Sequence, residues 1–369
     1  MIDNGLIIDA VVHGFDVSTG NRAERCPLEQ YQGFQTFLHS LAHVPLESLD
    51  PGFILELEEF VPAVSAESLA HTLFVESDID IAFYHHVPIA GFFKDGVSPL
   101  APGLAMRELA PNRVYIYGGV DTFVSDPQLV FEQMERHAER GAVGFKFYPS
   151  NGVVDPDTRA LVTMLYDDPE RAYPYFEKAR ELGITHLAFH KAFPMGPSVK
   201  AVDPADLLAA SVAFPDLTFE IVHAGIAFLD ETALELMVAP NIYANLELSG
   251  NLIVRQPRRF AEILGLLLQR AGADRIVFGS GCAASHPDPV IEAFKRFEMP
   301  KDLVEGYGYP EVTDEMKQAI LGGNMARMHG IDILATRELI AGDSWAKMRA
   351  EGKRPPWELR RKEAANLPM

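Results

Sequence analysis

Six short apolar runs in this chain each reach a metal-capable or ionisable side chain as the hydrophobic pattern ends. They are IIDAVVH at His13, IAFYHH at His85 and His86, VGFKF at Lys146, THLAFH at His190, FEIVH at His223 and YANLE at Glu247. Histidines and carboxylates scattered at random fall mostly on polar, turn-rich segments. These occupy the carboxyl ends of β-runs, where a barrel of parallel strands gathers its chemistry. The pattern points to one shared site.

Along the chain, strand and helix patterns alternate. After the first strand, strands are predicted at 79–85, 114–118, 143–147, 186–190, 218–223, 242–246 and 275–278, with helices at 127–140, 172–182, 204–214, 231–238 and 258–271. Eight strands, most separated by helices and with no internal linker, predict an α/β fold, a closed (β/α)8 TIM barrel in preference to an open sheet. A doubly wound sheet would carry a glycine-rich phosphate turn after its first strand, and His13-Gly14-Phe15 is not one. The chain has 369 residues where a barrel needs about 250, which leaves room for elaborations. Residues 16–70, with the helical-looking LEQYQGFQTFLHSLAHV, are expected as a cap-like insertion in a catalytic domain 1–330. Residues 331–369 are expected as a C-terminal helical extension, compatible with a homodimer. Within it the basic stretch 353–362, KRPPWELRRK, is expected to be a solvated tail.

Charge and cysteine usage narrow the partners. A net charge of −20 argues against nucleic acid, whose phosphates require a basic surface. The two cysteines, Cys26 and Cys282, form no Cys-x-x-Cys pair, which argues against a thiolate zinc site and suits a reducing compartment. No apolar run approaches the roughly 20 residues of a membrane helix, and the first residues do not read as a secretory signal. A cytoplasmic protein without a membrane partner is expected.

Side chains two apart on a strand share a face. The alternation therefore groups Asp9, Val11 and His13; His186, Ala188 and His190; Phe219, Ile221 and His223; and Tyr243, Asn245 and Glu247. Converging imidazoles and a carboxylate suit iron, zinc or manganese. The expected metal ligands are His13, His190, His223 and Glu247, with either His85 or His86, since alternation sends only one of that pair inward. Glu247 is costly to bury alone, so a metal or an ion pair is expected there. Lys146 and Asp9 are the candidate catalytic groups: Lys146 either neutralises a carboxylate or carries a metal-bridging carbamate, and Asp9 orients His13. For a small-molecule substrate with a hydrophobic body and an anionic end, the candidates are Phe92, Phe93 and Lys94 after the second strand, Tyr148 after the fourth and Arg255 after the seventh. His286 is expected to cap a loop and Cys282 to be packed.

Taken in order, Asp9-Ala10-Val11-Val12-His13, His190, His223-Ala224-Gly225, Val277-Phe278-Gly279-Ser280 and Ile320-Leu321-Gly322-Gly323-Asn324 with Ala326-Arg327 resemble the metal-dependent amidohydrolase barrels. The nearest branch is the amidohydrolase-2 type that includes aminocarboxymuconate-semialdehyde decarboxylase and related hydrolases, and the resemblance spans nearly the whole chain. Two positions depart from that pattern. The family carries His-x-His on its first strand, and the first of those positions is Val11; it ends its eighth strand in Gly-Ser/Thr-Asp, and the aspartate position is Gly281. The remaining ligands, shifted toward His85 or His86 and Glu247, resemble the nonheme diiron monooxygenases of platensimycin and platencin diterpenoid biosynthesis. That resemblance implies two iron ions, O2, an electron donor and hydroxylation of a diterpenoid or CoA-linked acyl substrate. The alternative is a hydrolase or decarboxylase of the amidohydrolase-2 type using Zn or Mn.

Overall fold

Runs rich in Ile, Val, Phe and Ala, buried on both faces, pair as parallel strands because neither face can be left to solvent. The computed structural model describes residues 5–122, 126–149, 153–154, 161–193 and 198–366. Eight parallel strands lie side by side in chain order: β1 (Ile8–Val12), β2 (Ile81–His85), β3 (Val114–Asp121), β4 (Ala142–Tyr148), β5 (His186–His190), β6 (Thr218–Val222), β7 (Ile242–Asn245) and β8 (Ile276–Val277). The sheet returns to its start just beyond β8. Ala10 N donates to Phe278 O at 2.9 Å, Gly281 N to Val11 O at 3.0 Å and Ala283 N to His13 O at 3.1 Å. The expected barrel is the fold.

Helix α1 (Leu28–Ser40) lies in the insertion after β1 together with a single turn at Leu57–Phe60, and the main helix after each strand is α2 (Ala66–Phe74), α3 (Leu100–Leu109), α4 (Pro127–Glu139), α5 (Tyr173–Glu181), α6 (Asp206–Ala213), α7 (Leu229–Val238), α8 (Pro257–Ala271) and α9 (Pro287–Lys295). The outward strand residues Phe147, Phe189 and Phe219 stack in sequence, with ring centroids 5.1 and 5.5 Å apart, and Phe176 of α5 closes over them. The sequence pattern does not predict α3, because Pro102 and Gly103 interrupt its first turns. Proline is tolerated near a helix start. Glycine is required by packing, since a Cβ on Gly103 would come within 2.7 Å of Tyr84 Cγ. No helix among the described residues is long and apolar enough to cross a membrane.

The C-terminal helices α10 (Ile333–Ile340), α11 (Ser344–Ala350) and α12 (Glu358–Ala365) pack outside the barrel. Here the solvated-tail expectation for 353–362 is corrected: Trp357 and Arg360 are buried. Arg360 donates to the carbonyls of Phe60, Pro62 and Ala63 in the insertion. A planar guanidinium satisfies several carbonyls at once, which a count of charges along the chain does not register. The buried Glu76 carboxylate accepts from the backbone N–H groups of Trp357 and Glu358 and from the ring nitrogens of His71 and His286. His286 Nδ1 in turn caps α9 by accepting from Asp288 N, as expected for a loop-capping residue.

Candidate metal centre

At the carboxyl ends of the strands, His13, Tyr148, His190, His223 and Glu247 line one cleft with about 570 Å³ of empty space, part of it open to solvent. Strand phase delivers most of them. His190 closes β5 on the inward phase set by Ala188, and Glu247 follows Asn245 at two-residue spacing beyond β7. His223 arrives by another route, and its predicted face is corrected. The inward residues of β6 are Glu220, which accepts from Tyr117 Oη at 2.7 Å and Asn245 Nδ2 at 3.0 Å, and Val222. Phe219 and Ile221 pack toward the helices. His223 turns into the cleft because its backbone leaves the strand in the left-handed region, φ 67°.

The adjacent pair on β2 also divides. His85 faces inward, stacked on Tyr117 at 4.4 Å with both ring nitrogens buried and unpaired, and its carbonyl lies 3.1 Å from His13 Nδ1. His86 faces outward: its Nδ1 accepts from Gly119 N and its ring meets His137 of α4. A ligand role for His86 is therefore corrected.

Hydrogen bonding fixes the tautomers of the central pair. His190 Nε2 lies 2.7 Å from Phe193 O, a carbonyl that only accepts, so Nε2 carries the proton and Nδ1 the lone pair. His223 Nε2, 2.9 Å from His190 Nδ1, must then donate. In neutral His223 this leaves a lone pair on Nδ1, in direct contact with Glu247 Oε2. Neither atom of that contact makes a hydrogen bond. Burial lowers the histidines below their ordinary range, His13 to about 4 and His85, His190 and His223 well below it, with Lys146 contributing in the same direction to each and Glu247 opposing it at His13. Burial raises Glu247 against the opposing pull of His13 and Lys146, and burial lowers Lys146 against Glu247 and Glu220.

Two lone-pair donors facing one another are satisfied by a proton on Glu247 or, with the pair drawn apart, would both be available to ligate a cation. Neutral imidazoles and a carboxylate are the donor set of a borderline divalent ion. As they stand, no three His, Cys, Asp or Glu side chains among the described residues are grouped to hold an ion; they meet instead in pairs. The fit is one of donor chemistry and convergence, and His13, His190, His223 and Glu247 are the residues that would hold it.

The position after β8 explains the single carboxylate. Gly281 has φ 68°, and a Cβ there would collide with Glu247 Oε1 and come within 3.1 Å of Glu247 Cδ. Glu247 occupies the space that a side chain at 281 would need.

The other predicted residues are placed as follows. Asp9 is spent on the seam between β1 and β8, accepting from Ser280 N at 2.9 Å, Ser280 Oγ at 2.5 Å and Val11 N at 3.2 Å. Lys146 is buried inside the barrel, its Nζ 5.8 Å from the ring centroid of Tyr148. Tyr148 stacks on His190 at 4.2 Å. Phe93 is buried against Tyr31 and Phe34, Phe92 packs on Phe34, and neither lines the cleft. Lys94 extends into solvent beside Asp95, and Arg255 donates to Val44 O on the surface. Sequence reasoning missed the apolar face of α1 over the cleft, whose signal is the spacing of Phe34, Phe37, Leu38 and Leu41. It also missed Glu220, hidden by an incorrect strand phase.

Known proteins of similar architecture are distant in sequence. An uncharacterised TIM-barrel protein from Bordetella bronchiseptica is 18% identical, with a TM-score of 0.58 over 90% of this chain and 99% of that one. A manganese-bound 5-carboxyvanillate decarboxylase from Novosphingobium aromaticivorans is 14% identical, with a TM-score of 0.54 over 88% and 97%. A protein from Acinetobacter baumannii named a probable 2-pyrone-4,6-dicarboxylic acid hydrolase is 12% identical, with a TM-score of 0.53 over 89% and 99%. These likenesses establish the fold. No curated protein matches the chain. The sequence model of the amidohydrolase family matches residues 104–331, most of the barrel from α3 onward, and with strand-end histidines converging on one cleft this chain belongs to the amidohydrolase family.

Proposed function

We propose that the chain is a metal-dependent enzyme of the hydrolase and decarboxylase type, holding one Zn or Mn ion on His13, His190, His223 and Glu247, and that decarboxylation is the reaction its site serves best. The observation that carries the metal is the contact between His223 Nδ1 and Glu247 Oε2, two lone-pair donors with no hydrogen bond between them. A bound divalent ion supplies a Lewis acid that draws charge from a substrate oxygen. Membership of the family, and a manganese-bound decarboxylase among the structural neighbours, support the assignment.

The choice of decarboxylation rests on the proton inventory. Hydrolysis needs a base to take a proton from water. Glu247 is the one carboxylate among the described lining residues, and position 281 has no side chain to add a second. Decarboxylation needs the opposite. The carbon–carboxylate bond breaks, the electron pair stays on carbon, CO2 leaves, and that carbon takes up a proton. Of the described residues lining the cleft, Tyr148 carries a phenol whose proton burial holds in place, and the apolar walls keep water away from the carbanion.

A second reading follows from His85. Its two unpaired ring nitrogens beside His13 offer more donors than one ion uses, which favours two iron ions and oxygen chemistry. Elemental analysis of purified protein separates the readings. One Zn or Mn per chain, reduced by His223→Ala, together with CO2 release from an acid under anaerobic conditions, is the expected result; two irons per chain and O2 consumption would replace it with the monooxygenase.

A further inference from the structure

We propose that α1 is the roof of a substrate pocket for an acid whose body is bulky, apolar and uncharged. This rests on the reading above for the reacting end of the substrate. Phe34, Phe37, Leu38 and Leu41 recur at i, i+3, i+4 and i+7, so they form one stripe along the helix and its cap. All four line the cleft, together with Phe193 and Leu248. Phe37 is 45% exposed, so the stripe leaves apolar surface open at the cleft. The helix is held in place along the buried flank of that stripe, where Tyr31 Oη donates to Ser18 O at 2.8 Å and Gln35 Nε2 to Val17 O at 2.7 Å.

Polarity within the cleft is one-sided. Among the described lining residues, the hydrogen-bonding and ionisable groups all belong to the strand-end cluster, and none is arginine or lysine. A second anionic group at the far end of a substrate would be desolvated there without a counter-charge. The expected anionic end beside Lys94 and Arg255 is thus replaced by a single carboxylate at the strand ends and an apolar body under α1.

Alkyl hydroxamates from acetohydroxamate to octanohydroxamate, titrated calorimetrically into the Mn-loaded and the metal-free protein, test the roof. In Mn-loaded wild type, affinity is expected to rise by up to about fourfold per methylene. Phe37→Asp should weaken octanohydroxamate by about tenfold or more and flatten the series, and Phe37→Leu should restore the slope. Because Phe37 is exposed, both variants should fold. A flat series in wild type, with acetohydroxamate binding only when Mn is present, overturns the roof and leaves the metal reading intact. A rising series that is identical with and without Mn supports the roof while removing the metal reading.

Discussion

Gly281 and Glu247 are predicted to be energetically coupled, and the coupling is measurable. Gly281→Ala places a Cβ in a left-handed backbone, which costs about 1–2 kcal/mol. The same Cβ meets Glu247 Oε1 inside a packed site, and forcing an extra carbon into such a site costs about 1–3 kcal/mol. The single substitution should therefore destabilise the protein by about 2–5 kcal/mol. In a Glu247→Ala background only the backbone part remains, so the cost should fall to about 1–2 kcal/mol. Urea unfolding of wild type, both single variants and the double variant yields a coupling of about 1–3 kcal/mol. Mn titration should show Gly281→Ala weakening metal retention, because the displaced carboxylate no longer meets His223. Equal costs of Gly281→Ala in both backgrounds would refute the view that Glu247 fills the space at 281.

Two further outcomes follow from the scaffold. Burial alone would raise Glu76, but hydrogen bonds from His286 and His71, with the Trp357 N–H, hold it down at about 2 against an ordinary 4.5. A depressed carboxyl contributes its stability in full above its unfolded value and loses it as the pH falls through its folded one; here the window runs from about pH 4.5 to about 2 and is worth about 3 kcal/mol. Unfolding followed against pH should show Glu76→Gln less stable than wild type at pH 7, with the difference shrinking through that window; a constant difference would contradict the assignment. Arg360→Ala leaves the carbonyls of Phe60, Pro62 and Ala63 without their donor. It should cost about 2–4 kcal/mol and expose α12 to limited proteolysis, and an unchanged cleavage pattern would count against the clamp.

Much of the barrel was legible because a strand's period of two and a helix's period of 3.6 leave separate marks on the sequence. The inward course of β5 and β7 followed from alternation, and so did the rule that only one of His85 and His86 faces inward. Alternation failed at β6, where a left-handed residue after the strand re-aims His223, and it hid Glu220 on the opposite phase. The Phe92–Lys94 loop offered the right composition for a substrate surface, but its rings are used to join the insertion to the barrel.

The sequence by itself determined that parallel strands would end on imidazoles and a carboxylate, because local periodicity and residue chemistry are sufficient for that. Tertiary structure alone decided which of those groups meet. The contact of His223 with Glu247, the space at Gly281 taken by a neighbouring strand's carboxylate, and the placement of α1 over the cleft all join residues far apart in the chain. Such contacts depend on how strands and helices pack against one another, and packing leaves no periodic trace in any single segment.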